Sequence, residues 1–332
     1  MRNMPYILTV LIATVLLAAS MCLSLTSGSV NIPAHDVLGA FFYFDTYDTG
    51  HVIIREVRAP RMLAAAVTGA AFAVSGAVMQ AMTRNPLAEP GLLGLNAGAL
   101  FFLTIAFIFV PGLPFTYMIL MSFAGALFSA LIVLAAVLFG RDGMSPLKLI
   151  LAGVAVSLFF SALSSAFQLH FTIGQDIAFW FAGAIQNIGW PHLAVLFPWF
   201  VIGVSIALLL SPVLTAISFD DGTAVSLGVP LNKTRLLALA SVVILAGLGV
   251  SVLGAVAFVG LIVPHAARFF AGGDYRRILP LSGVLGAFLT VSSDLAARML
   301  AAPVELPVGA LIALIGVPFF LYLARRVVRY EL

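Results

Sequence analysis

Charged residues are scarce in this sequence. Asp, Glu, Lys and Arg together make up 9% of the 332 residues, whereas hydrophobic residues make up 62%. A soluble globular domain carries about 25% charged residues. The composition therefore excludes that class and predicts a membrane protein with several apolar spans. The formal net charge of +3 is too small to suggest a nucleic-acid partner.

Cysteine is almost absent as well. Cys22 is the single cysteine, which excludes an intrachain disulfide and a cysteine cluster that holds a metal. The histidines have no paired spacing typical of zinc; they are His35, His51, His170, His192 and His265. An intramembrane enzyme, one alternative, would need a second aspartate inside a span besides Asp294, and we find none. We expect no catalytic residue and no metal site.

A phosphate-binding loop for ATP is also missing. That loop has the pattern Gly-x-x-x-x-Gly-Lys-Ser/Thr, and neither Lys148 nor Lys233 follows a glycine. We therefore expect this chain to bind no cofactor. Any ATPase that drives its function must be another protein.

Long apolar runs account for most of the sequence. About 20 such residues cross the hydrocarbon core as a helix. The sequence predicts ten spans near residues 5–27, 59–82, 91–110, 115–139, 147–168, 192–211, 235–253, 256–270, 279–300 and 307–325. The prediction is an all-α polytopic membrane protein in which residues 1–332 form a single transmembrane domain.

The basic residues predict the orientation of these spans. With a cytoplasmic N terminus, twelve of the sixteen Lys and Arg residues fall on the cytoplasmic side. The other four are Arg55, Arg58, Arg61 and Arg298. This asymmetry fits the positive-inside rule, so both termini are predicted to be cytoplasmic. An ion-driven secondary transporter, a second alternative, would need ionisable groups at mid-bilayer, but nearly every charge lies near a span end.

Residues 76–98 form a polar corner between two spans. Pro86 and Pro90 interrupt it, and the backbone groups that they free need partners that lipid cannot supply. The corner is either a tight loop between helices or a moving part of a transport path. Before it, Ala65, Gly69 and Ala73 recur every four residues, a spacing that lets helix backbones approach closely.

Residues 218–231 differ from the apolar runs around them. Asp220 and Asp221 are suited to begin a short helix, and Gly228 and Pro230 are suited to end it. The segment lies on the predicted cytoplasmic side, and its middle carries Val225. Capping at both ends favours a short helix that contacts a cytoplasmic partner over a bare loop.

Several motifs in a fixed order resemble the permease subunits of type II ATP-binding-cassette (ABC) importers, the FecCD/BtuC-like family. These importers take up iron–siderophore complexes, haem or cobalamin. The resemblance extends from the second span to the end of the chain. It is carried by 58–61 (Arg-Ala-Pro-Arg), 76–80, 84–94, 226–228, 254–265 with Arg268, 294–298, 305–309 and 316–320.

The resemblance implies a type II ABC importer permease fold in a bacterial cytoplasmic membrane. Its implied partners are a second permease subunit, two cytoplasmic ATPase subunits that bind ATP and Mg²⁺, and an extracytoplasmic solute-binding protein. Docking of the binding protein is implied for Arg58, Arg61 and Arg298. Coupling to the ATPase is implied for Asp220, Asp221, Val225, Leu227 and Gly228. A cytoplasmic gate is implied for Asn85, Leu87, Ser145, Pro146 and Leu147.

The resemblance also favours one substrate class. Residues 175–181 and 316–326 look most like siderophore permeases, whereas 76–94 look equally like a cobalamin permease. We therefore expect transport of an iron–siderophore, with haem or cobalamin as the alternative.

Overall fold

A computed structural model describes residues 5–28, 32–138, 146–173, 185, 188–302 and 305–328. Across these residues the regular structure is helical throughout, with no strand. A helix satisfies its own backbone hydrogen bonds, and this is the structure that an apolar chain adopts in lipid.

Each of the ten predicted spans coincides with a helix. These ten are α1 (Tyr6–Thr26), α4 (Ala59–Thr83), α5 (Leu95–Phe109), α6 (Phe115–Leu138), α7 (Pro146–Phe171), α8 (Trp190–Phe219), α10 (Leu231–Leu253), α11 (Val259–Ala271), α12 (Tyr275–Leu300) and α13 (Val308–Val328). Seven of them are long and apolar enough to cross a membrane, and the three shorter apolar ones are α5, α11 and α13. The predicted all-α, ten-helix membrane architecture is confirmed.

Several predicted ends differ from the observed ones by three residues or more, and two of them show how the helices extend. The sixth span was predicted to stop near residue 211, but α8 continues to Phe219. The ninth was predicted to start near residue 279, but α12 begins at Tyr275, where Asp274 caps it by accepting a 3.0 Å hydrogen bond from the Arg276 amide. The start of α12 is extended by the polar residues Tyr275, Arg276 and Arg277, whereas residues 212–219 of α8 are mostly apolar and continue the helix through Pro212.

The first long loop contains helices that the apolar pattern did not predict. They are α2 (Ala34–Phe42), α3 (Thr49–Val52) and a π-helical turn at Ile53–Arg58 that leads directly into α4. Asp48 begins α3, because its side chain accepts hydrogen bonds from the amides of Gly50 and His51. Helices this short lack the long apolar run that identifies a span.

Helix α4 lies at the centre of the bundle. Of the apolar window in the continuous helical stretch Thr49–Thr83, which includes α4, 83% is buried. A β carbon on Gly69 would lie 2.3 Å from the Gly286 carbonyl oxygen of α12. A β carbon on Gly76 would lie 1.9 Å from the Gly260 carbonyl oxygen of α11. The predicted small-residue face is therefore confirmed as the surface on which α11 and α12 pack against α4.

Candidate functional site

Polar side chains gather at the two ends of α4. The Arg61 end contains the start of α4 and the ends of α1 and α12. The Asp221 end contains the end of α4, the end of α8, the short helix α9 (Asp221–Ser226) and the start of α12. The sequence predicts the first end to be external and the second cytoplasmic.

At the Arg61 end, two arginines share one buried carboxylate. The Arg61 Nη2 atom lies 2.9 Å from Asp294 Oδ1, and the Arg298 Nε atom lies 3.2 Å from Asp294 Oδ2. The Asp294 side chain is 1% exposed. Arg61 also contacts Glu305, with 2.9 Å between Nη1 and Oε1. This ion network joins α4, α12 and the segment before α13.

The same end holds α1 in place through the two other predicted docking cations. Arg58 Nη1 donates to the Leu25 carbonyl oxygen at 2.7 Å. Arg298 Nη2 donates to Ser24 Oγ at 2.7 Å. The structure therefore brings Arg58, Arg61 and Arg298 together, largely buried and bonded within the chain. A role for them in docking stays a prediction.

The more accessible cation at this end is Arg55. Its side chain is 45% exposed, and its guanidinium lies 4.5 Å from the centre of the Phe44 ring. Its carbonyl oxygen accepts a 2.9 Å hydrogen bond from Trp190 Nε1 at the start of α8.

At the Asp221 end, the predicted short helix is present as α9. Asp220 caps it, because Oδ1 accepts a 2.8 Å hydrogen bond from the Thr223 amide and Oδ2 accepts one from the Thr223 hydroxyl. These hydrogen bonds from Thr223 are the main cause that lowers the pKa of Asp220. Both Asp221 oxygens accept from Arg235 Nη2 at 2.8 Å, which ties α9 to α10.

The two faces of α9 differ in exposure. Ala224 is fully buried, whereas Val225 and Leu227 are 57% and 69% exposed. Gly228 follows with φ +79°, the left-handed conformation typical of a helix end. This geometry leaves two exposed apolar side chains on a short helix that Asp220 caps and Asp221 ties to α10.

The polar corner after α4 is an ordered turn. Arg84 has φ +52°, and Asn85 Oδ1 accepts a 2.9 Å hydrogen bond from the Leu87 amide. The Arg84 Nη2 atom lies 3.4 Å from Asp221 Oδ2, so the corner contacts α9. Of the predicted gate, Ser145 and the side chain of Pro146 lie outside the described residues. Residues 175–181, which bear on the substrate class, also lie outside them. Leu147 is 65% exposed at the start of α7.

A carboxyl group links this corner to the break between α10 and α11. Gly254 (φ +69°) ends α10, and Phe258 (φ +73°) precedes α11. The Phe258 amide donates to Glu89 Oε1 at 2.8 Å. Burial raises the pKa of Glu89, although this hydrogen bond opposes the rise. The corner and the start of α11 are therefore held together by one side chain.

Sequence reasoning did not predict a cluster of polar side chains that joins α4, α11 and α12 at the Asp221 end. Arg268 Nη2 donates to Gln80 Oε1 at 3.0 Å and to the Tyr275 hydroxyl at 3.2 Å. Gln80 Nε2 in turn lies 3.3 Å from the Gly260 carbonyl oxygen. Gln80 and Arg268 both belong to the motifs that carry the resemblance to the permease family. The sequence signal that could have revealed this contact is a polar residue inside an apolar run.

A family model described as the FecCD transport family matches residues 16–326. The chain belongs to this family. FecCD relatives align over nearly its whole length. The iron(3+)-hydroxamate import system permease protein FhuB of Bacillus subtilis is 45% identical over 321 residues, which cover 95% of this chain and 84% of the relative. The Fe(3+)-citrate import system permease protein YfmD of the same organism is 39% identical, covering 98% and 96%.

A solved structure shares the FecCD chain's architecture. It is described as a metal-chelate type ABC transporter in an inward-facing conformation. It matches with a TM-score of 0.83 and 30% identity, covering 96% of this chain and 98% of that chain. Together with the membrane-spanning helices, these matches identify a multi-pass membrane protein with the fold of an ABC transporter permease.

Proposed function

We propose that this chain is the translocation subunit of an ABC importer that moves an iron–siderophore chelate across the bacterial cytoplasmic membrane. The observation that carries the proposal is the 45% identity to an iron(3+)-hydroxamate permease over 95% of the chain. The proposed orientation places both termini and the Asp221 end in the cytoplasm. The chain acts as one transmembrane domain, residues 1–332, and binds no cofactor itself.

The partners proposed for it follow from this role. A second permease subunit completes the path, two ATPase subunits bind ATP and Mg²⁺, and an external binding protein delivers the chelate. Closure of the ATPase pair pushes on residues 218–231, and the polar corner with Asn85 and Leu87 narrows the cytoplasmic end. What supports this step is the position of α9, which contacts both Arg84 in that corner and Arg235 in α10.

Burial limits how far the predicted arginines at the Arg61 end can contact the binding protein. Arg58 and Arg298 are 5% and 7% exposed, so they offer little surface to a partner. We assign them first to fixing the outer ends of α1, α4 and α12. A binding protein with acidic lobes would reach the exposed Arg55 more readily.

Replacing Leu227 with aspartate tests the coupling role. Its side chain is 69% exposed, so the fold should tolerate the change. A charge in an apolar contact is costly, so we expect at least a roughly tenfold loss of ATPase stimulation by the loaded binding protein, or loss of co-purified ATPase. Leu227→Met is the matched control and should retain both. If Leu227→Asp and Val225→Asp behave like wild type, α9 is not the contact.

The transport proposal is tested with the complete complex reconstituted in lipid vesicles. The complex is incubated with binding protein loaded with ferric hydroxamate, ferric citrate, haem or cobalamin, and uptake and ATP hydrolysis are measured. We expect stimulation by a ferric chelate. Stimulation by haem or cobalamin alone would overturn the substrate class. Uptake driven by an ion gradient without ATP would overturn the importer proposal in favour of a secondary transporter.

A further inference from the structure

A cavity of about 290 Å³ opens at the Asp221 end. It lies between the end of α4, the end of α8 and the turn that joins α11 to α12. Its lining residues are Gln80, Arg84, Pro86, Ser218, Phe219, Arg268, Gly273 and Tyr275. Two of these residues carry a guanidinium group, and none of them is acidic.

Arg268 is the more buried of the two cations. Its contacts are the Gln80 amide oxygen and the Tyr275 hydroxyl, both neutral. Within the part of the chain that the structure describes, no carboxylate lies within ion-pair distance of it. A partly buried cation that lacks a counter-charge is costly. Occupation of the cavity by an anion would offset this cost.

Arg84 shares its acidic neighbour with another arginine. It lies 3.4 Å from Asp221 Oδ2, whereas Arg235 Nη2 lies 2.8 Å from both Asp221 oxygens. Two other acids lie nearby. Asp220 interacts with the charge of Arg84 but caps α9 through Thr223. Asp274 accepts from the Arg276 amide at 3.0 Å, and so caps α12, and from the Thr215 hydroxyl at 3.4 Å. Asp221 is bonded more closely to Arg235, which does not line the cavity, than to Arg84, and none of these acids is among the lining residues.

We propose that this cavity binds a phosphate group, carried by a membrane lipid or by a soluble cytoplasmic anion. Arg84, Arg268 and Tyr275 come from three different elements and all line the cavity, so they can contact one anion from different sides. A tetrahedral phosphate presents acceptor oxygens in several directions, whereas a carboxylate presents two in one plane. Basic pockets between helices on the cytoplasmic side are suited to phospholipid headgroups.

An anion bound in this cavity would contact the residues that lead into α9. Ser218 and Phe219 in its wall directly precede Asp220, the cap of α9. A bound phosphate joins the end of α4 and the α11–α12 turn to the residues that lead into α9. Its presence is independent of which chelate the transporter carries.

The test uses the purified complex, with phospholipid retention measured by native mass spectrometry. A second arm removes lipid and titrates inorganic phosphate against chloride at matched ionic strength, with thermal unfolding as the readout. We expect Arg84→Gln and Arg268→Gln to weaken retention or phosphate affinity at least tenfold. Arg276→Gln removes the same charge from an exposed residue at this end that does not line the cavity, and should change either value less than twofold.

The outcomes separate the sources and the alternatives. A response to lipid alone identifies the membrane as the source, and a response to inorganic phosphate alone identifies a soluble anion. No binding in either arm overturns the inference, as does equal behaviour of Arg84→Gln and Arg276→Gln. If phosphate binds only after the ATPase is removed, a group of the ATPase fills the cavity in the complex. That result would also overturn the inference. Chelate uptake by the wild-type complex reports on the transport proposal separately.

Discussion

Replacing Asp294 with asparagine is expected to destabilise the protein by about 3–5 kcal/mol, because it leaves two guanidiniums in a buried site without their shared counter-charge. Arg61 and Arg298 both contact this carboxylate, which is 1% exposed. Asparagine has nearly the same shape and still offers one acceptor oxygen, so the loss reports the charge rather than packing. Denaturant unfolding in detergent micelles measures the change.

Glu305→Gln provides the matched control for this prediction. Glu305 contacts the same arginine at 2.9 Å, but its side chain is 32% exposed. Water screens an exposed pair, so we expect a cost of about 1 kcal/mol or less. Equal effects of the two substitutions would show that Asp294 does not balance both arginines. Both carboxylates lie 2.9 Å from Arg61. The predicted difference in stability therefore comes from the deeper burial of Asp294.

The transmembrane helices were predictable because the lipid environment imposes one rule on every span. Each long apolar run must become a helix, and each does. The caps of α9 were also predictable from the sequence. A capping side chain and the amide that it caps lie within three residues of each other, as with Asp220 and Thr223. Local chemistry of this kind is written directly in the sequence.

The partners of the buried polar groups were not predictable in the same way. Arg61 and Asp294 are 233 positions apart, and Arg268 meets Gln80 across 188 positions. Charge asymmetry predicted that the predicted docking arginines lie at the same end of the bundle, and the structure groups them at one end. The asymmetry could not show that they contact α1 and Asp294, because that depends on which helices become neighbours.

Replacing Gly76 with alanine is expected to have the largest effect of any single methyl addition in α4. The added β carbon would lie 1.9 Å from the Gly260 carbonyl oxygen and 2.5 Å from the Gly260 Cα. Both obstacles are backbone atoms, which no rotamer change can move. The helices must separate by roughly 1.5 Å to restore normal contact. We expect destabilisation of about 3 kcal/mol or more, the upper part of the range for overpacking, measured by the same unfolding assay.

Gly283→Ala is the control that separates this clash from the intrinsic effect of the substitution. At Gly283 in α12, the nearest atom to an added β carbon is Val74 Cγ2 at 3.6 Å, an ordinary contact. Alanine favours a helix over glycine by about 0.8–1 kcal/mol, so this variant should be neutral or slightly stabilised. Similar stability of the two variants would contradict the close approach of α4 and α11.

The close approach of α4 and α11 positions the Gly260 carbonyl oxygen to accept from Gln80. Gly76→Ala should therefore also disturb Arg268, to which Gln80 is bonded.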